Sequence, residues 1–154
     1  MVALYVSDGA CADYKGFVSS ALRLVDGRPA SRRQYVALHP GGVGPQTAEL
    51  VGLLLAFELV DADFPDTYDT RQKVTVRTDS QDACDWIHGI AHCPPRFVPL
   101  VERCKREIAD LKECNIFVHV HWVPRALVHH AHSLCEELFD VAQAWPVVDI
   151  SRVG

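Results

Sequence analysis

Four carboxylates stand where the local pattern of the chain changes: Asp8 in Ser7-Asp8-Gly9, Glu49 after Thr47-Ala48, Asp79 in Thr78-Asp79-Ser80, and Glu136 in Ser133-Leu134-Cys135-Glu136. The residues before Asp8 and Asp79 read as strands, and those around Glu49 and Glu136 read as the first turns of helices. If the first and fourth strands are parallel neighbours, Asp8 and Asp79 emerge side by side at the sheet edge where open α/β sheets bind ligands. Carboxylates that close repel one another unless divalent cations neutralise them, and an all-oxygen set suits magnesium or manganese better than zinc. Two such ions about 4 Å apart would activate a water and stabilise the leaving oxygen in phosphodiester cleavage. Each acid also has an ordinary structural use. Ser-Asp-Gly and Thr-Asp-Ser are turn sequences, Glu49 suits a helix N-terminus, and Ser133-x-x-Glu136 is a capping box. The ordered coincidence of all four favours a shared site.

The elements that must position them follow from periodicity. Val2-Ala3-Leu4-Tyr5-Val6 is apolar throughout and ends at Ser7-Asp8-Gly9, as expected of a central strand buried on both faces. Residues 16–25, closed by Asp26-Gly27, and residues 33–38, closed by His39-Pro40-Gly41-Gly42, complete an antiparallel meander. From Thr47 the period becomes helical, through Leu50, Leu53, Leu54, Phe57 and Val60, and it stops before Asp61. Residues 73–77 alternate as a fourth strand, Ser80 caps a short helix reaching Ile90, and Pro94-Pro95 ends it. A helix marked by Phe97, Leu100, Val101, Cys104, Ile108 and Leu111 precedes a fifth strand over 116–123 and a last helix over 133–144. The order β-β-β-α-β-α-α-β-α predicts an α/β fold: a five-stranded mixed sheet, three antiparallel strands and then parallel ones, flanked by helices. It occupies one domain over residues 1–145, with a short tail over 146–154.

Composition bounds the partners. A chain of 154 residues, 49% hydrophobic and 23% charged, is the size and make-up of one domain with a core. Its net charge of −5 lacks the basic footprint of a protein that holds nucleic acid by charge alone, although without the four acids above the total would be only −1. Six cysteines without a C-x-x-C pair, and no basic leader before an apolar run, predict reduced thiols and a cytoplasmic location. The longest apolar run, residues 50–57, is far short of the ~20 residues that cross a bilayer, so no membrane contact is expected. His88 and His92 beside Cys93, and His119, His121, His129, His130, His132 and Cys135 further on, raise a zinc reading, but their spacing matches no zinc pattern. His119 and His121 alternate with Val118, Val120 and Trp122, as a polar strand face requires. Lys105 and Arg106 with Glu102 and Glu107 read as a solvated, salt-bridged helix face, and Trp86, Phe97, Trp122 and Phe139 read as packing.

Tyr5-Val-Ser-Asp8-Gly-Ala-Cys11, Gly44-Pro-Gln-Thr47-Ala-Glu49, Val76-Arg-Thr-Asp79-Ser-Gln81, Trp122-Val-Pro124 and Cys135-Glu136-Glu-Leu138 together resemble the type 1 ribonuclease H family, including the ribonuclease H domains of retroviral reverse transcriptases. The resemblance spans nearly the whole chain and implies that family's five-stranded mixed sheet. It implies an endonuclease that uses two Mg²⁺ ions, for which Mn²⁺ could substitute, to hydrolyse the RNA strand of RNA/DNA hybrids to 3′-hydroxyl and 5′-phosphate ends. By position it implies Asp8, Glu49, Asp79 and Glu136 as catalytic metal ligands, with Gly9, Ala10, Cys11, Gln46 and Gln81 along the hybrid-binding groove, where amides can read 2′-hydroxyls. The sequence departs from the family at three places. Glu136 stands where Asp is usual. Ala126 stands at the position of a mobile His, leaving His129 as the candidate substitute, with His130 and His132 beside it. The basic protrusion is missing, because Pro94-Pro95 leads directly to Arg96; Lys15, Arg32, Arg33, Arg77 and Arg125 are left as scattered phosphate contacts, and a dimer or larger partner could supply affinity. These departures keep two other readings open: a binding or adapter module with weak catalysis, and a nuclease of the same superfamily with a different nucleic-acid substrate.

Overall fold

Asp26 and Gly27 both take positive φ, 53° and 76°, the two-residue turn whose twist matches a hairpin, and they join β2 (Gly16–Val25) to β3 (Arg28–Ala37). A computed structural model describes residues 2–12, 16–37, 44–65 and 69–143. Lys15, the turn at 39–42, the Phe139 side chain and the tail from Trp145 lie outside the described residues. Strand β1 (Val2–Ala12) pairs antiparallel with β2 and parallel with β4 (Gln72–Thr78), which pairs parallel with β5 (Ile116–Trp122). The sheet order is β3-β2-β1-β4-β5, the mixed sheet that the sequence predicts.

Tyr5 and Val6, adjacent in β1, are both fully buried and point to opposite cores, which confirms a central strand covered on both faces. On the Tyr5 side, Val74, Val76, Ile116 and Val120 meet α1 (Pro45–Asp63), α2 (Gln81–His88) and α3 (Val98–Glu113). On the Val6 side, Leu22 and Val123 meet Val128 and α4 (His129–Gln143). Helix α1 begins with Pro45, whose missing N–H costs nothing there, and ends just before Pro65. It is buried nearly all round, as a helix sandwiched between a sheet and a second helix must be. Ser80 caps α2 as expected, accepting from the Ala83 amide at 3.2 Å, and Gly89 closes it at φ 71°. No helix among the described residues is long and apolar enough to cross a membrane.

Several boundaries differ from expectation. β1 does not turn at Ser7-Asp8-Gly9 but continues to Ala12, because pairing with β2 persists through Ala12↔Gly16. Strand β3 starts earlier, at Arg28, and α1 starts at Pro45, which puts Glu49 in its second turn. The last helix starts at His129 rather than Ser133, so Ser133 and Glu136 are helix-interior residues and the capping box does not form. Packing decides this: Val128, Ala131, Leu134 and Leu138 repeat at helical spacing and bury against Val6, Leu22 and Val123. Trp122, expected in packing, is 40% exposed at the end of β5.

Candidate active site

The parallel pairing of β1 with β4 stops at Val6↔Arg77, so Asp8 on β1 and Asp79 just beyond β4 emerge together past that last pair. Helix α1 brings Glu49 against them, and carboxylate oxygens of Asp8, Glu49 and Asp79 lie within 4.8 Å of one another. Asp8 is buried, and among the described residues Glu49 Oε2 and Asp79 Oδ1 are buried with no hydrogen-bond partner. Burial, and then the charge of Asp79, pushes the Asp8 carboxyl above its ordinary range, against the pull of His132 and the Gly9 amide. The Glu49 carboxyl is pushed up to about 10, by burial first and then by the charges of Asp8 and Asp79. Three acids held this way at one point, two with orphaned buried oxygens, fit a hard divalent cation, which supplies the missing partner for those oxygens.

The approach of α1 to β1 depends on two glycines. A Cβ on Gly9 would clash with the Ala48 carbonyl group, and one on Gly52 would stand 2.7 Å from the Asp8 carbonyl oxygen. Both obstacles are backbone, so no rotamer change relieves them. Gly9→Ala should push α1 off β1, cost ~2–3 kcal/mol in urea unfolding and draw Glu49 away from Asp8.

The segment after β5 fixes Asp79. The Val123 amide donates to the Thr78 carbonyl at 2.9 Å, and Trp122 Nε1 donates to the Asp79 carbonyl at 3.3 Å. Arg125 Nε donates to Asp79 Oδ2 at 3.2 Å from a side chain 69% exposed.

Glu136 is not brought into the cluster; its side chain is 68% exposed. His132 stands between, with Nδ1 2.9 Å from Asp8 Oδ2 and Nε2 3.1 Å from Glu136 Oε1. His129, the expected histidine, instead lies against the Ala126 carbonyl at 3.2 Å and beside His130. The choice among the three histidines turns on where α4 begins, because a start at His129 puts His132 one turn before Glu136 on the same face.

Two clefts flank the acids. One, of about 260 Å³, is lined by Gln46, Glu49, Asp79, Gln81 and Arg125; the other, of about 320 Å³, by Ala10, His132, Cys135, Glu136 and Asp140. Gln46 and Gln81 thus line the first cleft and Ala10 the second. Cys11 packs with Phe17, Ala37 and Ala48, and Gly9 serves the close contact with α1. Sequence reasoning missed Asp140; its only signal is its i, i+4 spacing from Glu136.

No protein-family model and no curated protein matches the chain. Solved structures do. The N-terminal ribonuclease H domain of a Mycobacterium tuberculosis protein, solved as a fusion with maltose-binding protein, superposes with a TM-score of 0.72 over 93% of this chain and 96% of that one, at 16% identity. Ribonuclease H1 from the halophilic archaeon Halobacterium salinarum gives 0.68 over 91% and 98%, at 21% identity. A ribonuclease H1 isolated from compost, solved in complex with an RNA/DNA hybrid, gives 0.74 over 92% and 99%, at 18% identity. The chain therefore has a type 1 ribonuclease H-like fold.

Proposed function

We propose that the protein is a metal-dependent endonuclease that hydrolyses the RNA strand of RNA/DNA hybrids to 3′-hydroxyl and 5′-phosphate ends. The observation that carries this reading is the cluster of Asp8, Glu49 and Asp79, with its unpartnered buried oxygens, between two clefts on a ribonuclease H-like fold. These three acids would hold Mg²⁺, with Mn²⁺ as an alternative, and Glu136 would close the outer side of a two-ion site, oriented through His132. When bound, the ions supply an activated water and stabilise the leaving oxygen. The chain's own contribution is placement. Gln46 and Gln81 line one cleft and Ala10 the other, where amides can contact the 2′-hydroxyls that mark RNA, and Gly9 and Cys11 adjoin them on β1. Arg125, exposed at the rim, can turn from Asp79 to a phosphate. His129 lies against the Ala126 carbonyl, and this reading assigns the histidine contact with the acids to His132 instead.

The compost enzyme's complex with a hybrid supports the substrate, and the absence of disulfides among the six cysteines supports a reducing, cytoplasmic compartment. We take residues 1–145 as one domain. The net charge of −5 makes the intrinsic grip on hybrid weak, so a dimer or larger partner would raise affinity. The grip is also salt-sensitive: raising salt from about 50 to 200 mM should lower hybrid affinity at least ~10-fold in a filter-binding titration. The exposure of Glu136 favours one second reading, a hybrid-binding module with weak catalysis. Incubating the protein with labelled hybrid, duplex DNA, duplex RNA and single strands, in Mg²⁺ and then Mn²⁺, decides between them. Cleavage of the RNA strand of the hybrid alone supports the nuclease; cleavage of another substrate reassigns it within the superfamily, and binding without cleavage supports the module.

A further inference from the structure

Three histidines that this reading leaves unused gather at β5, the edge strand of the sheet. His119 and His121 project from the same face of that strand, with ring centroids 5.7 Å apart. His88, the last residue of α2, stacks on His119, with centroids 5.7 Å apart and ring planes within 12°. All three side chains are exposed, and none of them lines either cleft beside the acids. One turn before His88, the buried Cys84 thiol donates to the Val120 carbonyl at 3.8 Å and lies 3.7 Å from His88 Nδ1. The thiol therefore engages the Nδ1 side of the His88 ring. With Nδ1 against the thiol, Nε2 is the ring nitrogen left for a metal ion, with Cys84 as its outer-shell partner.

We propose that His88, His119 and His121 form an open site for a divalent transition-metal ion of the zinc type, with His119 at its centre, Cys84 as a positioning residue and water completing the coordination. Imidazole donors select such ions over Mg²⁺, which separates this site chemically from the carboxylate cluster. The exposed His119 and His121 rings, each 5.7 Å from its neighbour between centroids, can converge by rotation about their own side-chain bonds on an ion held at His88 Nε2. Arg77 is the register partner of His121 on β4 and disfavours a cation at that end, so His88 and His119 are the stronger arms. The spacing matches no zinc motif because the ligands come from two separate elements that only the fold brings together.

The test is calorimetric titration of the whole chain with Zn²⁺ in excess Mg²⁺, which occupies the carboxylates. Wild type should bind one Zn²⁺. His119→Ala and His88→Ala should each lose more than the ~10–100-fold that removal of an outer-shell partner costs, Cys84→Ser should lose about 10-fold, and His121→Ala should lose less than His119→Ala. Because the three histidines are exposed, the melting temperatures of their variants without zinc should match wild type, which separates lost binding from lost folding. No Zn²⁺ uptake by wild type in Mg²⁺, or undiminished uptake by His119→Ala, would overturn the proposal, the latter by placing the ion on other histidines.

Discussion

Asp79→Asn should lower hybrid cleavage on the order of 10³-fold while the variant melts at or slightly above the wild-type temperature. The substitution keeps shape and removes charge. Asp79 Oδ1 is buried and unpartnered among the described residues, so no hydrogen bond is lost there, and removing the Asp79 charge relieves the repulsion that helps raise the Asp8 and Glu49 carboxyls. What holds this corner is backbone: the Trp122 indole on the Asp79 carbonyl and the Val123 amide on the Thr78 carbonyl, neither of which changes. Arg125 loses its partner but is largely exposed, and such pairs contribute only ~0–1 kcal/mol. Activity and stability therefore separate, as expected of a side chain placed for chemistry. Labelled-hybrid cleavage and thermal melting of the same preparation check it; wild-type cleavage by the variant would remove Asp79 from the mechanism.

Glu49→Gln should do the reverse of an ordinary buried substitution and stabilise the metal-free protein. The Glu49 carboxyl rises from its ordinary value of 4.5 to about 10 on folding. A carboxyl raised in the folded state takes up protons on folding, so its contribution is fully favourable below its unfolded value and is lost as pH rises toward its folded one. Metal-free wild type should accordingly lose stability with rising pH between about 4.5 and 10, and Glu49→Gln should flatten that slope. At neutral pH the gain should be about 1–3 kcal/mol, or ~2–12 °C in melting temperature for a chain of this size. Mg²⁺ should stabilise wild type by ~2.7 kcal/mol at a hundredfold excess over its dissociation constant, and stabilise the variant much less. Melting curves across pH with and without Mg²⁺ read both effects. A variant less stable than wild type without metal would show that Glu49 is held by contacts rather than strained by its neighbours.

The parts of this site that could be read in the sequence are those positioned locally. Asp8 and Asp79 follow apolar strand segments and Glu49 lies at the start of an apolar helix, so a one-residue error in a boundary still leaves them at the same edge. Element order was legible for the same reason, since the change from period two to 3.6 marks each element without knowledge of its neighbours. Ser7-Asp8-Gly9 reads as a turn by local preference but is strand, because β2 supplies partners through Ala12 and Gly9 admits α1. The C-terminal third depends on distant contacts. Ser133-x-x-Glu136 is a sound cap signal, yet burial of Val128, Ala131, Leu134 and Leu138 on the Val6 face starts the helix four residues earlier. That shift moves Glu136 outward and puts His132, rather than His129, on Asp8.

The central claim, metal-dependent hydrolysis of the RNA strand by Asp8, Glu49 and Asp79, is tested most directly by the end groups of the products. Hybrid labelled in the RNA strand and incubated with Mg²⁺ should yield fragments with 5′-phosphate and 3′-hydroxyl ends, and chelation should stop the reaction. Fragments ending in 2′,3′-cyclic phosphate, or cleavage that persists in chelator, would show attack by the RNA's own 2′-hydroxyl and contradict the account.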